Sequence, residues 1–232
     1  MTTPSGLQNG MHPRRLYGRR RGRAMRAGQR ALVEALLPEL QFSLPEGGAL
    51  DPRKLFAAPI DEVWLEVGFG AGEHLIFQAE AHPRCGLIGS EVFEPGIAKL
   101  LTEINARHLA NVRLFVDDAR LLVAALTPQS VGRVFILFPD PWPKERHKKR
   151  RVVATETLDD LARMMVDGAE LRLATDDADY AQWIAERADR HAAFEAVAQP
   201  VRPEDWPPTR YERKAAAQGR KVKLFSYRRR AR

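Results

Sequence analysis

A run of five apolar residues followed at once by a proline-rich turn constrains the fold of this 232-residue chain more than any other feature. The run, Val134 to Phe138, is too short to cross a membrane and stops at Pro139, so it predicts a β-strand buried on both faces. Asp140 and Trp142 follow, and prolines on both sides of Trp142 leave the backbone few conformers. Ligands of open α/β sheets bind where such strands end. The pattern predicts a carboxylate and an indole at a ligand-binding edge, although a purely structural turn has the same sequence signature.

Basic side chains are concentrated in three segments of the chain. Residues 1–33, 144–151 and 210–232 hold 24 of the 37 Lys and Arg but only 2 of the 30 Asp and Glu, a net charge of +22. The remaining residues are acidic and carry a net charge of −15. Basic clusters on an acidic body are typical of nucleic-acid binding. None of the three segments shows the apolar face that a membrane-surface helix needs, so we expect a nucleic-acid partner and no membrane association.

The length fits one domain with a full core and a short appendage. Residues 1–30 are rich in Gly and Arg and show no apolar periodicity, which predicts a basic, flexible N-terminal arm before a single domain over residues 31–232. The arm lacks the hydrophobic stretch of a secretory signal. A single cysteine, Cys85, excludes internal disulfides and cysteine-rich metal sites. We therefore expect a cytoplasmic protein without a metal ion, present as a monomer or a homodimer.

Strand-like and helix-like segments alternate from residue 60 onwards with short connections, which predicts a doubly wound α/β sandwich. Three local features are also predicted. Pro38 is expected to break the helix formed by residues 31–40, and Thr155 is expected to cap the helix that follows it. Thr209 to Glu212 is expected to form a polar loop on the ligand side of the sheet.

A glycine-rich turn follows the first predicted strand. Glu66, Gly68, Gly70 and Gly72 are spaced E-x-G-x-G-x-G, and Glu73 stands where a dinucleotide-binding fingerprint needs its third glycine. A Walker loop is also excluded, because no Gly-Lys-Ser/Thr follows. An acid at the start of the next helix would repel a pyrophosphate. The turn therefore fits a cofactor without phosphates, and S-adenosylmethionine, with its sulfonium and ammonium groups, meets this description.

Further acids stand at the ends of the next two predicted strands. Glu91 comes about 20 residues after the glycine-rich turn, where an acid can accept hydrogen bonds from both ribose hydroxyls of a nucleoside. Asp118 follows the third strand, where its side chain could read an adenine amino group. Alternatively, Asp117 or Asp118 caps the helix that follows.

The motif EVGFGAG at 66–72, with Glu91 and Asp118, resembles the cofactor half of a class I S-adenosylmethionine-dependent methyltransferase. The stretch FPDPWPKERHKKRR at 138–151 is more specific and resembles the bacterial tRNA (guanine-N7-)-methyltransferase family, as do ATD at 174–176 and TRYE at 209–212. The similarity extends from about Tyr17 to the C-terminus. It implies a Rossmann-like sheet of seven strands whose last strand is antiparallel. It also implies methyl transfer from S-adenosylmethionine to N7 of a guanine in the variable loop of tRNA.

The resemblance also implies roles for individual residues. The expected cofactor-binding residues are Glu66, Gly68, Gly70, Glu91, Asp118 and Asp140, the expected substrate-binding residues are Lys144, Asp176, Thr209, Arg210, Tyr211 and Glu212, and the basic strip expected to contact RNA comprises Arg146, Lys148, Lys149, Arg150 and Arg151. Asp140 is the expected catalytic group. Guanine N7 carries no proton, so Asp140 is expected to orient the reactants and to stabilise charge on the ring rather than to accept a proton. Trp142 either stacks on a base or only rigidifies the turn.

Two departures from the family pattern and two other functions have to be considered. Phe93 replaces an expected His, and RKA follows Glu212 where the family has a Gly, which leaves the shape of the guanine pocket open. One alternative function is an RNA-binding protein with a degenerate methyltransferase fold, against which the intact acidic residues argue. The other is an RNA amino-group methyltransferase of the Asp-Pro-Pro-Tyr type, which residues 140–142 partly resemble.

Overall fold

The fold is built on one sheet of seven strands, in a computed structural model that describes residues 18, 20–22, 25–198 and 202–232. The strands are β1 (Glu62–Val67), β2 (Cys85–Ser90), β3 (Val112–Phe115), β4 (Val131–Leu137), β5 (Met165–Thr175), β6 (Phe194–Ala196) and β7 (Lys223–Arg229). Their spatial order is β3-β2-β1-β4-β5-β7-β6. Strands β1 to β5 are parallel, and β7 runs antiparallel to its neighbours β5 and β6. The predicted seven-stranded sheet with an antiparallel last strand is confirmed.

Helices cover both faces of the sheet. They are α1 (Ala27–Leu40), α2 (Glu73–Ala81), α3 (Glu94–Arg107), α4 (Ala119–Ala125), α5 (Thr155–Met164), α6 (Ala178–Ala188) and α7 (Arg210–Ala217). Successive side chains of a strand point to opposite faces. In β1, Val63 and Leu65 therefore join the core under α4, α5 and α6, whereas Trp64 joins the core under α1, α2 and α3. Among the helices described, none is both long and apolar enough to span a bilayer.

Three local predictions are wrong. Pro38 does not break α1, because it lies in the last turn and the helix ends two residues later in any case. Thr155 is the first residue of α5 rather than its cap, and Ala154 occupies the cap position without a side-chain hydrogen bond. The segment predicted as a polar loop is the start of α7, where the Thr209 hydroxyl accepts a hydrogen bond from the backbone N–H of Glu212 at 3.4 Å.

The strand order places a crevice beside β1 and β4. From β1 the chain moves outward to β2 and β3, whereas β4 and β5 lie on the other side of β1. In open α/β sheets the carboxyl ends of the strands at this switch point form the ligand-binding crevice. The glycine-rich turn follows β1 and the Asp140 turn follows β4, so both lie at this crevice.

The described part of the predicted N-terminal arm lies against the start of α3. The carbonyl of Arg20 accepts a hydrogen bond from the backbone N–H of Glu94 at 2.9 Å. A Cβ on Gly22 would approach Pro95 to 2.6 Å, so the two segments are in close contact. Helix α1 begins at Ala27, within the range predicted as the arm. Flexibility was predicted for all of residues 1–30, and residues 1–17, 19, 23 and 24 of this range lie outside the described residues.

Candidate active site

A cleft of about 360 Å³ opens at the carboxyl ends of the central strands. This volume lies within the ~300–1,000 Å³ that is typical of small-molecule sites. The cleft brings together five of the six expected cofactor-binding residues: Gly68, Gly70, Glu91, Asp118 and Asp140. The sixth, Glu66, lines a smaller cavity of about 20 Å³ that shares part of its wall with the cleft.

The glycine-rich turn forms one wall of the cleft because its backbone adopts conformations that other residues avoid. Gly68, Gly70 and Gly72 have φ angles of 73°, 59° and 81°. A Cβ at position 96 would lie 2.0 Å from the carbonyl oxygen of Gly70, so Gly96 allows α3 to approach the turn closely. A Cβ on Gly68 would meet no protein atom within 4 Å. The turn is thus held by α3 on one side and leaves an open cradle for a ligand on the other.

Glu91 holds this turn as well as lining the cleft. Its Oε2 accepts a hydrogen bond from the Gly70 N–H at 2.9 Å, and its Oε1 accepts from the N–H groups of Val92 at 2.7 Å and Phe93 at 3.0 Å. A carboxylate offers about four acceptor sites, so roughly one remains for a ligand hydroxyl. Ribose binding by Glu91 stays a prediction, and a second hydroxyl would have to compete with a backbone donor.

Asp118 caps α4, which confirms the alternative role considered for it. Its Oδ1 accepts a hydrogen bond from the Arg120 backbone N–H at 3.0 Å. The Arg120 guanidinium also donates to the Asp118 carboxylate, at 2.9 Å from Nε and 2.5 Å from one terminal nitrogen. Asp117, which also lines the cleft, accepts from the Asp118 N–H at 2.7 Å. A ligand amino group would therefore meet a carboxylate that already has partners.

Asp140 lies in a turn that contains two non-glycine residues with left-handed backbones. Phe138 has a φ of 55° and Trp142 a φ of 45°, and conformations of this kind cost about 1–3 kcal/mol each. Contacts on both sides hold them in place. The Phe138 N–H donates to the Ala174 carbonyl of β5 at 2.8 Å, and the Arg150 guanidinium lies 4.9 Å from the centre of the Trp142 ring. Both aromatic side chains line the cleft.

The Asp140 carboxylate favours a cationic group beside it. The Asp140 side chain is reached by solvent, yet protein atoms of the cleft surround it, and this desolvation raises the pKa of its carboxyl above the ordinary value. An anion that has lost part of its hydration is stabilised by a positive charge nearby. A sulfonium group in the cleft would supply such a charge.

The structure does not place Arg151 where it could contact RNA, contrary to the prediction. Its side chain is fully buried, with the guanidinium 4.8 Å and 4.9 Å from the ring centres of Tyr180 and Trp183. Nε donates to the Pro141 carbonyl at 2.8 Å, and a terminal nitrogen pairs with Asp179. Arg151 thus supports the proline-rich turn from inside the protein.

The rest of the basic strip forms a short 3₁₀ helix over Glu145–Arg150 and its flanks. Lys148 is engaged in ion pairs with Glu145 at 2.9 Å and Asp179 at 3.3 Å. Lys144, Arg146 and Lys149 are exposed. RNA contacts remain a prediction for this strip, and these three side chains present its charge to solvent.

The basic C-terminal segment is divided between two edges of the sheet. Because β7 is antiparallel, it starts at Lys223 beside Thr175, at the ligand edge, and ends at the opposite edge. Two of the last arginines bind a backbone carbonyl there. The guanidinium groups of Arg229 and Arg232 donate to the Ala162 carbonyl near the end of α5, at 2.7 Å and 2.9 Å. Only the first part of this segment lies on the side of the crevice.

Two carboxylates expected to bind the substrate are paired within the protein. Asp176, which follows β5, lies 2.5 Å from Arg220, and Glu212 in α7 pairs with Arg202. Both side chains are about one-fifth exposed. Substrate contacts by either residue stay a prediction, and each carboxylate has acceptor sites beyond its arginine pair.

The segment before α7 is anchored by a group that was not predicted from the sequence. Arg172, which is 4% exposed, donates to both oxygens of Asp205 at 2.8 and 3.0 Å, and Arg133 donates to Asp205 at 2.8 Å. Burial alone would raise the pKa of Asp205, but the hydrogen bonds and charges of the two arginines outweigh it and lower that pKa. Trp206 is buried beside them. The signal was an arginine among the apolar residues of 169–175, since an arginine that becomes buried requires a partner.

A buried polar chain connects this anchor with the glycine-rich turn. Glu66 lies 2.8 Å from His74 Nδ1, and His74 Nε2 lies 3.1 Å from Gln78 Nε2. Gln78 Nε2 also donates to the Asp205 carbonyl at 2.5 Å. A neutral His74 that donates from Nδ1 and accepts at Nε2 satisfies these contacts. Glu66 therefore belongs to this buried series of hydrogen bonds and does not line the main cleft.

Comparisons with known proteins agree with this architecture. A family model described as a putative methyltransferase matches residues 61–225. The tRNA (guanine-N(7)-)-methyltransferase of Paramagnetospirillum magneticum is 51% identical over 224 residues, which cover 94% of each chain. That of Rhodospirillum rubrum is 48% identical over 226 residues, which cover 94% of this chain and 89% of the relative. The solved structure of the 16S rRNA methyltransferase KamB matches with a TM-score of 0.56 at 18% identity, over 77% of this chain and 91% of that one, and supports the fold.

Proposed function

The chain belongs to the tRNA (guanine-N(7)-)-methyltransferase family, and on that premise we propose that it transfers the methyl group of S-adenosylmethionine to N7 of a guanine in the tRNA variable loop. The observation that carries the proposal is the acidic cleft at the switch point of the sheet. There the glycine-rich turn, Glu91 and the Asp140 turn come together at the ends of β1, β2 and β4.

The residues of the cleft fit S-adenosylmethionine. The open cradle at Gly68 admits a ligand against the backbone, and Glu91 keeps about one acceptor site for a ribose hydroxyl. Asp117 and Asp140 add negative charge to the wall, which suits a cationic donor. The cofactor supplies an electrophilic methyl group on a sulfonium centre. The described residues contain no cluster of three or more His, Cys, Asp or Glu side chains placed to hold a metal ion.

The proposed role of Asp140 is orientation and charge stabilisation. Guanine N7 has an in-plane lone pair and no proton, so the methyl group can be attacked without a general base. The site has to align the nucleophile and to accept the positive charge that develops on the ring. Asp140 lies on a rigid turn at the end of β4, and its poorly hydrated carboxylate is stabilised by such a charge. Trp142 forms part of the same wall and offers a ring face to a base.

Guanine recognition is proposed to use Asp176 and Glu212. Both are acceptors near the ligand edge, and guanine offers N1–H and an exocyclic amine as donors. In the described structure each pairs with one arginine, Arg220 or Arg202, through one carboxylate oxygen, and the remaining acceptor sites are proposed to bind the base. Thr209 and Arg210 begin the same helix as Glu212 and are proposed to contact the substrate nucleotide. Adenine lacks the N1–H donor and would leave an acceptor unpaired.

The proposed partner is tRNA, bound through its backbone by exposed basic groups. Lys144, Arg146 and Lys149 flank the Asp140 turn and can neutralise phosphates next to the guanine. Such contacts position the RNA without reading its sequence. A tRNA-modifying enzyme of this kind is expected in the cytoplasm.

The test uses a tRNA whose target guanosine is replaced by 7-deazaguanosine. This base keeps the donor edge and loses only the proposed nucleophile. It should bind with nearly normal affinity and accept no labelled methyl group at that position, whereas unmodified tRNA is methylated. Nucleoside analysis of the unmodified tRNA should show 7-methylguanosine.

The alternatives predict different results in the same assay. Methyl transfer to the 7-deazaguanosine residue would exclude N7 as the acceptor and favour an amino-group methyltransferase. Binding of unmodified tRNA without any transfer would favour an RNA-binding protein with a degenerate fold. The Asp140→Asn variant is the matched control, and it should bind tRNA but methylate it slowly.

A further inference from the structure

Helix α7 is tied to the glycine-rich turn by an acid that the sequence analysis considered only as a repellent of phosphate. Glu73 is the first residue of α2, directly after the turn. Its Oε2 accepts a hydrogen bond from the backbone N–H of Arg210 at 2.7 Å and lies 3.8 Å from the Arg213 guanidinium. Both partners belong to the first turn of α7. One carboxylate therefore joins the beginnings of two helices that come from distant parts of the chain.

The contact places Tyr211 on the wall of the cleft. Its ring stacks on Phe138, with 6.2 Å between ring centres and 20° between planes. A Cβ on Gly70 would lie 3.2 Å from this ring, so the ring covers the turn directly. Tyr211 lines the main cleft and the smaller cavity beside it. The side chain is nevertheless 41% exposed, as expected for an aromatic group that faces a ligand site.

We propose that Tyr211 is a cofactor-binding residue that closes the cleft over the glycine-rich turn, and that Glu73 is the positioning residue that holds it there. The resemblance of the TRYE motif places Tyr211 with the substrate-binding residues instead. The proposal rests on the proposed function, because it concerns the cleft assigned there to S-adenosylmethionine. It adds a ring from the C-terminal part of the chain to a cleft lined mainly by residues at and after the ends of β1, β2, β3 and β4.

Glu73 could instead act only on its own helix, by interacting with the dipole of α2, and a control variant separates this role from the contact with α7. An acid in the first turn of any helix interacts favourably with the helix dipole, and Glu94 in the first turn of α3 does so as well. Glu94 is exposed, and its backbone N–H contacts Arg20 rather than α7. Glu94→Ala therefore serves as the matched control for Glu73→Ala.

The experiment measures binding of S-adenosylhomocysteine by titration calorimetry without RNA, so it does not depend on turnover. Tyr211→Ala should bind about tenfold more weakly, because a stacked aromatic wall is lost, whereas Tyr211→Phe keeps the ring and should bind within about twofold of wild type. Glu73→Ala should weaken binding by about threefold to tenfold. Glu73→Gln keeps an acceptor for the Arg210 N–H and should lose less, and Glu94→Ala should match wild type. Thermal unfolding of each variant establishes that it is folded.

Several results would overturn the proposal. Unchanged affinity of folded Tyr211→Ala would remove Tyr211 from the cofactor site. Unchanged affinity of Glu73→Ala, or an equal loss in Glu94→Ala, would remove the positioning role of Glu73. A wild-type protein that does not bind S-adenosylhomocysteine at all would overturn the proposed function, and with it this inference. If wild type binds and the variants do not differ from it, the inference alone fails.

Discussion

Replacing Arg151 with alanine should make the protein easier to unfold, although Arg151 lies in a basic run of the kind that binds RNA. The guanidinium is buried between the rings of Tyr180 and Trp183 and donates to the Pro141 carbonyl. Alanine would leave that carbonyl without its donor and open a void between the rings. The turn that carries Asp140 would lose its internal support.

The expected magnitude follows from three contacts. Leaving the Pro141 carbonyl unpaired costs about 1–3 kcal/mol, and the two ring contacts of Arg151 contribute about 0.5–1 kcal/mol each. The ion pair with Asp179 adds little, because 53% of the Asp179 side chain is exposed. The free energy of unfolding should fall by about 3 kcal/mol. For a chain of this size the Tm should drop by roughly 6–12 °C.

The assay combines thermal unfolding with tRNA affinity measured over a range of salt concentrations. Arg146→Ala is the matched control: this exposed residue should leave the Tm unchanged and reduce the slope of log K against log salt by about one. Arg151→Lys keeps the charge but not the planar fork, so it should also lower the Tm. A wild-type Tm for Arg151→Ala, together with the reduced salt slope expected of Arg146→Ala, would refute the structural role.

Three further predictions concern the cleft and its support. Desolvation raises the pKa of Asp140, so as the pH is lowered the rate of methyl transfer should begin to fall at a higher pH than an ordinary aspartate would cause. The acidic limb of the pH–rate profile should be missing in Asp140→Asn. An identical limb in this variant would show that Asp140 is not the group that titrates. Asp205→Asn should reduce the free energy of unfolding by about 2–3 kcal/mol at neutral pH in urea titrations. The pKa of Asp205 is lowered in the folded protein, so wild type should be more stable than Asp205→Asn at any pH above the ordinary aspartate pKa. This difference in the free energy of unfolding should vanish as the pH falls through the lowered pKa of the folded protein. A difference that does not change with pH would contradict this. Glu91→Ala should weaken S-adenosylhomocysteine binding at least tenfold, equivalent to about 1.5–3 kcal/mol, and unchanged affinity in calorimetry would remove Glu91 from the site.

The sheet could be predicted because its signals are local. The apolar run at 134–138 largely coincides with the end of β4. Helix α2, Glu73–Ala81, lies between the glycine-rich turn and Pro83, two signals that are visible in the sequence. The start of α7 was mistaken for a loop because its residues are polar and show no apolar period. Its first turn is stabilised by the Thr209 cap and by Glu73, which is 137 residues away from Arg210 in the sequence. Contacts between residues so far apart in the sequence produce no recognisable pattern in a short stretch of it.

The same limit applies to the site. The acids at the strand ends were predicted to meet in one cleft, and Glu91, Asp118 and Asp140 do line it. The sequence could not show that the first two are already bonded to protein donors. It also could not show that Arg151 is buried, because Tyr180 and Trp183 approach it from α6. Charge in a sequence predicts a need for partners, and only the fold decides whether these are phosphates or side chains.

The left-handed backbones of Phe138 and Trp142 have a consequence for protein engineering. Glycine would adopt φ angles of 55° and 45° at these positions without the backbone strain of about 1–3 kcal/mol that a side chain brings there. It would also remove two aromatic walls of the cleft. In the free energy of unfolding, the relief of backbone strain is opposed by the loss of ring contacts, among them the Phe138–Tyr211 stack and the Arg150–Trp142 contact. A measurement of heat resistance alone would not report the loss of the two walls, so a search for stabilising substitutions at these positions should include a methylation screen.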